Sequence, residues 1–189
     1  FYNTPKLKTL KYDGYTETNN ILHQNVQYLG GNAFANSGLE NLTAKGLKEI
    51  YANGFNASGF TSVDIESTSV QTINDSMFAG LSKLTSVKLP SGLKSIENSA
   101  FEGCGIANII VPETLTTIGE EAFKNSAIKE ISLVKVTNIG ESAFEGCKSL
   151  TKAVLGNSIE ELPDSLFKGC SSLKEFTIPE NVSIIGDDC

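Results

Sequence analysis

Apolar residues recur along the chain at a nearly fixed interval, and this pattern organises every other observation on the sequence. A phenylalanine, often preceded by alanine, is followed by several apolar positions and then by the next phenylalanine after 21 to 23 residues. Self-similarity at this period is the signature of a repeat array. We interpret these aromatic residues as structural repeat anchors: Phe34, Phe55, Phe78, Phe101, Phe123, Phe144 and Phe167.

The segments between anchors predict one strand and one turn in each unit. In residues 84–90 (LTSVKLP), Val87 and Leu89 alternate with polar residues, as in a strand with one buried face, and Pro90 ends the strand. Residues 118–126 (IGEEAFKNS) predict one short helical turn, with acidic residues at the N-terminal end where the dipole favours them. One unit has too few apolar residues to close a core, so stacked units must bury a continuous column.

The array is expected to cover residues 1–189 as a single solenoid of about eight units. Residues 1–33 fit an atypical first unit that carries an insertion at 13–25, and residues 184–189 match the start of a truncated further unit. We expect the full-length protein to continue on at least one side, because repeat arrays need polar caps.

Three segments carry a resemblance to a known family: IENSAFEGC (96–104), IGESAFEGCKSL (139–150) and LFKGCSSLKEFTIPENVSIIG (166–186). With them the sequence resembles the BspA-like leucine-rich repeat family, and the resemblance covers nearly the whole chain. It implies an α+β solenoid: a right-handed curved array with parallel strands on the concave face and short helical turns or extra short strands on the convex side. The first units depart from the pattern, since Ser37 and Ser58 replace the cysteine and Gly54 replaces the alanine.

Composition narrows the classes of partner. The chain is 40% hydrophobic with a formal net charge of −7 and contains no arginine, and its mean hydropathy is −0.07. Nucleic-acid binding requires basic residues to replace the counterions around phosphates, so we expect no nucleic-acid partner. The longest apolar runs are too short to span a bilayer, so we expect no membrane insertion of this segment.

The residues that could carry catalysis or bind a metal do not form a recognisable site. Cys104, Cys147 and Cys170 share one repeat position, and Cys147 and Cys170 are expected on adjacent layers, where either a disulfide or a ladder of buried thiols is compatible with the spacing. Cys189 could reach Cys170 or pair with another molecule. The lone histidine, His23, is expected in an exposed loop. We therefore expect no enzymatic activity, no catalytic residues, no cofactor and no metal site.

Adjacent carboxylates at 120–121, 160–161 and 187–188 are explained by electrostatics at the ends of short helices, with calcium binding at Asp187–Asp188 as an alternative. The outward positions of the predicted concave strands are more informative. Opposite charges neighbour each other there, as in ordinary lateral support of a sheet. Ile110 and Val154 are the exceptions, because apolar side chains at outward positions contribute nothing to the core of their own chain. The candidate concave-face ligand-binding residues are Asp64, Lys88, Ile110, Glu130, Lys152 and Val154.

The resemblance and these residues predict a non-enzymatic surface binding module. Its function would be adhesion or protein–protein recognition through the concave strand face. The expected partner is a protein, such as a host matrix or cell-surface protein, or a glycan, and the chain is expected to be a monomer. Family resemblance implies a secreted or cell-surface location. The alternative is a structural spacer or stalk that presents another domain of a larger surface protein.

Overall fold

The computed structural model describes residues 1–11 and 20–189, and within them the secondary structure consists of fourteen short β-strands. Every strand pairing is parallel. The strands are β1 (Ile21–Leu22), β2 (Tyr28–Leu29), β3 (Asn41–Ala44), β4 (Glu49–Ile50), β5 (Ser62–Asp64), β6 (Thr72–Ile73), β7 (Ser86–Lys88), β8 (Ser95–Ile96), β9 (Thr117–Ile118), β10 (Glu130–Leu133), β11 (Asn138–Ile139), β12 (Lys152–Leu155), β13 (Glu161–Leu162) and β14 (Ile184–Ile185).

The strands form two faces of a solenoid. We call the first the long-strand face: it contains the sheet β1-β3-β5-β7 and the pair β10-β12. The second, the short-strand face, contains the sheet β6-β8-β9-β11 and the pairs β2-β4 and β13-β14. Neighbouring strands come from successive repeats, so Val63 lies between Leu42 and Val87, one layer on either side. Each repeat therefore contributes one layer, as in other stacked repeat proteins.

The predicted helical turns, and with them the α+β class, are wrong. The described residues contain no helix, and the fold is a parallel β-solenoid. The reason lies in the backbone around each anchor, where the residues two before and two after adopt left-handed conformations: around Phe101, these are Ser99 (φ 53°) and Gly103 (φ 64°). A helix cannot continue through such positions. Of the acidic pairs placed at helix ends, 120–121 and 187–188 lie in turns instead, and Glu161 lies in β13.

Backbone hydrogen bonds at the anchors connect the layers. The Phe78 N–H donates to the carbonyl of Ala100 in the next layer at 2.9 Å, whereas the neighbouring Met77 N–H bonds locally to Asn74 at 3.1 Å. Half of the donors in this turn thus hold adjacent repeats together, and a helix would have used all of them within one repeat. Since no helix occurs in the part of the chain that the structure describes, none there is long and apolar enough to cross a membrane.

Aromatic rings form a column through the core. Successive anchor rings from Phe34 to Phe167 lie with their centroids 5.1–5.8 Å apart and their planes within 21° of parallel. Phe1 stacks on Phe34 at 5.4 Å. The anchors from Phe34 to Phe144 are buried, and the outermost, Phe167, is half-buried. The column joins the apolar sides of both faces into one continuous cluster of buried residues.

The N-terminal repeat enters the long-strand face in two parts. Asn20 accepts a hydrogen bond from the Leu10 N–H at 2.7 Å, and β1 then pairs with β3 so that Ile21 lies beside Thr43. Ile21 and Leu22 belong to the segment predicted as an insertion, 13–25, yet they form part of the sheet. Residues 12–19 of that segment lie outside the described residues.

Candidate functional site

The long-strand face brings Asp64 and Lys88 together. These residues are register partners on β5 and β7, and the Lys88 Nζ lies 3.0 Å from the Asp64 Oδ2. The hydrogen bond with the carboxylate raises the pKa of Lys88. Both side chains remain accessible to solvent, so the pair supports the sheet laterally while keeping its charges available to a partner.

Three outward side chains form a row in the middle of this face: Ile110, Ser132 and Val154. Asn108 forms a bridge with Glu130, which places Ile110 beside Ser132, and Ser132 is the register partner of Val154. Ile110 is 89% exposed and Val154 36%. Because outward positions elsewhere on the face are mostly polar, we call these three residues the central patch.

The segment that carries Ile110 is less regular than its neighbours. On the long-strand face, its layer contributes only a single bridge, at Asn108, and no strand. Beside it lies a groove of about 340 Å³, lined by Ile110, Pro112, Ser132, Val134 and Lys135 among others. Val134, which the sequence pattern did not single out, is 48% exposed and extends the apolar surface of the groove.

Glu130 and Lys152 are register partners on β10 and β12, next to the central patch. No ion pair joins them among the described residues, so both groups point their charge toward solvent. A second groove of about 600 Å³ lies on the other side of Lys152, and its lining includes Val154, Glu175 and the half-exposed Ile178. The predicted ligand-binding residues thus lie on one face. The Asp64–Lys88 pair occupies earlier layers than the central patch, and Glu130 and Lys152 lie beside the patch on β10 and β12.

The cysteines that share one repeat position have the geometry of structural residues. Cys104, Cys147 and Cys170 are free thiols, and each donates a hydrogen bond to the carbonyl of the anchor one layer back. Burial raises the pKa of Cys104 and of Cys170 to about 12, so both stay protonated and keep donating. The sulfur–oxygen pairs are Cys104–Phe78 (2.8 Å), Cys147–Phe123 (2.9 Å) and Cys170–Phe144 (3.1 Å).

The remaining polar candidates take part in contacts between layers. Asp188 pairs with Lys168 at 2.7 Å, which lowers the pKa of Asp188, and the Asp187 N–H donates to the Asp164 side chain at 2.7 Å. His23 is half-buried rather than exposed, and its Nδ1 accepts the Asn25 N–H at 3.2 Å. No group of three histidine, cysteine or acidic residues suited to a metal ion occurs in residues 1–11 and 20–189.

Sequence reasoning missed one surface, on the short-strand face. Tyr28 and Tyr51 are 55% and 51% exposed there, beside Glu49, which is the register partner of Tyr28. Two large aromatic residues at outward positions of strand segments are the signal that could have identified this surface. They were overlooked because the register was followed along the long strands alone.

Comparisons with known proteins agree with the repeat and its geometry. The model of the BspA type leucine rich repeat region matches residues 1–129 and 94–189, in six copies. A leucine-rich repeat protein from Bacteroides ovatus is 34% identical, with a TM-score of 0.67 over 80% of this chain and 38% of its own. The T. pallidum leucine rich repeat protein is 25% identical, with a TM-score of 0.64 over 88% of this chain and 72% of its own.

No curated protein matches the chain. The chain spans little more than a third of the length of the Bacteroides ovatus protein, so what that whole protein does is a separate question. The family match covers every residue from 1 to 189, and its repeat is the one that the stacked layers display. The chain belongs to the BspA type leucine-rich repeat family.

Proposed function

We propose that this chain is a non-enzymatic protein-recognition module that binds its partner through the long-strand face, which corresponds to the concave side in the family resemblance. The observation that carries the proposal is the exposure of Ile110. An 89% exposed isoleucine in the middle of a mostly polar sheet face has no role in the core of its own chain. Repeat solenoids use such extended faces as binding surfaces.

The surroundings of the central patch fit a protein partner. Grooves of about 340 and 600 Å³ flank it, and the unpaired charges of Glu130 and Lys152 lie beside it. An apolar centre with a charged rim is the usual arrangement of a protein–protein interface, where the apolar residues contribute affinity and the rim charges contribute orientation. Asp64 and Lys88 would contact the partner at the far side of the same face.

The proposal extends to location and organisation. Residues 1–189 would act as one array of about eight units, with 1–33 as the atypical first and 184–189 as the start of a further one. The array would be monomeric and secreted or displayed at the cell surface, with adhesion to a matrix or cell-surface protein as its task. Leucine-rich repeats are typically binding modules without catalysis, and this supports a non-enzymatic function.

The experiment compares two charge-matched double variants. Ile110→Asp with Lys152→Glu alters the long-strand face, and Asn138→Asp with Lys94→Glu makes a similar change at exposed positions of the short-strand face. Binding to immobilised matrix proteins and to intact cells would be measured by surface plasmon resonance and flow cytometry. We expect the first variant to bind at least about tenfold more weakly and the second to bind as the unmodified chain does.

Equal binding by both variants would contradict recognition through the long-strand face. A spacer function is the second candidate, and the continuous ring column from Phe1 to Phe167 favours it, because an unbroken core gives a stiff rod. A spacer predicts that this chain binds none of the surfaces while a longer form of the protein binds them.

A further inference from the structure

The short-strand face contains a seam between β4 and β6. Strands β6, β8, β9 and β11 form one sheet and β2 and β4 form a pair, but no ladder joins β4 to β6 in the part of the chain that the structure describes. In the regular layers, backbone groups make this connection: the Glu97 N–H donates to the Ile73 carbonyl at 2.8 Å. At the seam the corresponding carbonyl, that of Ile50, instead accepts the Asn74 side-chain amide at 2.6 Å.

A groove of about 860 Å³ opens along this seam. That volume lies within the usual range of small-molecule sites, about 300–1,000 Å³. The groove is about two and a half times as large as the one beside Ile110 and lies on the other strand face, so it is separate from the surface proposed for protein recognition. Its polar lining comes from both sides of the seam: Lys48, Glu49 and Tyr51 on one, and Ser69, Gln71, Thr72, Asp75 and Glu97 on the other.

The lining combines one flat aromatic ring with many hydrogen-bonding groups. Tyr51 is half exposed, and hydrogen bonding with the nearby Glu49 carboxylate raises the pKa of Tyr51. Gln71 and Ser69 add an amide and a hydroxyl, which both donate and accept hydrogen bonds. This combination matches a ligand that has an apolar C–H side and a rim of hydroxyl groups.

The charges of the lining residues further restrict the chemical class of ligand that the groove could bind. Three carboxylates, on Glu49, Asp75 and Glu97, stand against one ammonium group, on Lys48, so the groove carries a surplus of negative charge. Phosphorylated, sulfated or uronic ligands would be repelled. A metal ion is disfavoured, because no three ligating side chains in the described residues converge on one point. Carboxylates do suit neutral sugars, since they accept two hydroxyl hydrogen bonds each without a charge conflict.

We propose that the seam groove is a binding site for a neutral oligosaccharide, with the sugar C–H surface lying on the Tyr51 ring and its hydroxyl groups bonded to Glu49 and Gln71. The proposal does not depend on protein recognition by the long-strand face. The same chain would then carry two separate surfaces, one for a protein and one for a neutral glycan.

Titration by NMR tests the site directly. Cellotetraose, maltotetraose and chitotetraose would be added separately to ¹⁵N-labelled protein, with a hyaluronan tetrasaccharide as the acidic comparison. We expect at least one neutral tetrasaccharide to produce saturable shifts in the amides of residues 48–52 and 69–75, with none from the acidic one. Shifts confined to the long-strand face, equal binding of the acidic sugar, or no saturable shift with any neutral sugar would overturn the proposal.

Variants of the two exposed tyrosines distinguish binding in the groove from nonspecific binding to exposed aromatic residues. Tyr51→Ala should weaken binding about tenfold, and Tyr51→Phe should retain most of it because the ring is kept. Tyr28→Ala is the matched control: its ring is similarly exposed on the same face but lies outside the groove, so affinity should not change. Unchanged affinity in Tyr51→Ala, with a native circular dichroism spectrum, would contradict the site.

Discussion

One repeat position, three residues after each anchor, behaves differently in the two halves of the solenoid. In the C-terminal half it holds Cys104, Cys147 and Cys170, whose thiols bond to the carbonyl one layer back. In the N-terminal half it holds Ser37 and Ser58, whose buried hydroxyl oxygens have no hydrogen-bond partner. The C–S bond is longer than the C–O bond, so a thiol at this position reaches farther toward the carbonyl one layer back than a hydroxyl does.

A third serine at this position does find a partner in the next layer. Ser126 occupies the same position, yet its hydroxyl lies 3.4 Å from the Cys147 sulfur in the next layer. The layer after Ser58 offers Leu81 at this position instead, which has no polar atom to contribute. Ser126 is therefore accommodated by the sulfur of the adjacent repeat, a partner that Ser37 and Ser58 lack, and an unpaired buried hydroxyl is a weak point.

The ring column is common to both halves, so truncation of an anchor should have the largest effect in either. We expect Phe55→Ala and Phe144→Ala each to lower the free energy of unfolding by about 3–5 kcal/mol, because a fully buried ring is replaced by a cavity. Urea unfolding followed by circular dichroism measures this. A loss confined to one half would show that the two halves do not share a core.

The cysteine half should be sensitive to a change of one atom. Cys104→Ser replaces the buried thiol that bonds to the Phe78 carbonyl with a hydroxyl of shorter reach, and we expect it to leave a buried polar group unpaired. We expect a loss of about 1–3 kcal/mol in the free energy of unfolding. Cys104→Ala, which creates no unpaired donor, is the control, and it should cost less than Cys104→Ser.

The serine half should respond in the opposite direction. Ser58→Cys extends the side chain toward the carbonyl of Phe34 and removes an unpaired buried hydroxyl, so we expect a gain of about 1 kcal/mol in stability. The shift of the urea midpoint relative to the unmodified chain is the measurement. Ser58→Ala should gain less than Ser58→Cys, and a loss of stability in both would contradict the account of this position.

A substitution outside the ring column should have the smallest effect on the free energy of unfolding. Lys88→Ala removes an ion pair with Asp64 whose two side chains are both accessible to solvent. We expect no resolvable shift of the urea midpoint, since exposed pairs gain little from each other in water. A shift as large as that of Phe144→Ala would mean that the long-strand face is not a solvent-exposed surface.

Sequence periodicity was sufficient to predict the stacked layers and, beyond the N-terminal unit, the strand register, and the repeat motif was sufficient to predict the family. The alternation in residues 84–90 placed Val87 inward and Lys88 outward, and the pairing of β5 with β7 has the same arrangement. It was not sufficient for the turns. A segment such as 118–126 looks helical by composition, but helix formation depends on backbone conformation at Glu121 and Asn125, both of which have positive φ. Propensity does not encode that constraint, because it arises from hydrogen bonds to the next repeat.

The candidate sites likewise contain features that the sequence predicts and features that only the tertiary structure shows. The register identified Ile110 and Val154 as outward residues, because alternation in a strand is a local property. The seam between β4 and β6 and its groove could not be predicted, because a strand ladder that stops between two repeats is a property of how the repeats meet.

What the sequence determined by itself is the layer: which side chains face the core and at what interval, since burial of apolar groups requires that pattern in any stacked unit. Tertiary structure alone decided which hydrogen bonds cross between layers, where the strand ladder is interrupted and which buried polar atoms find partners. These features depend on distances between residues about 23 positions apart in the chain, and such distances are established only when the repeats pack on one another.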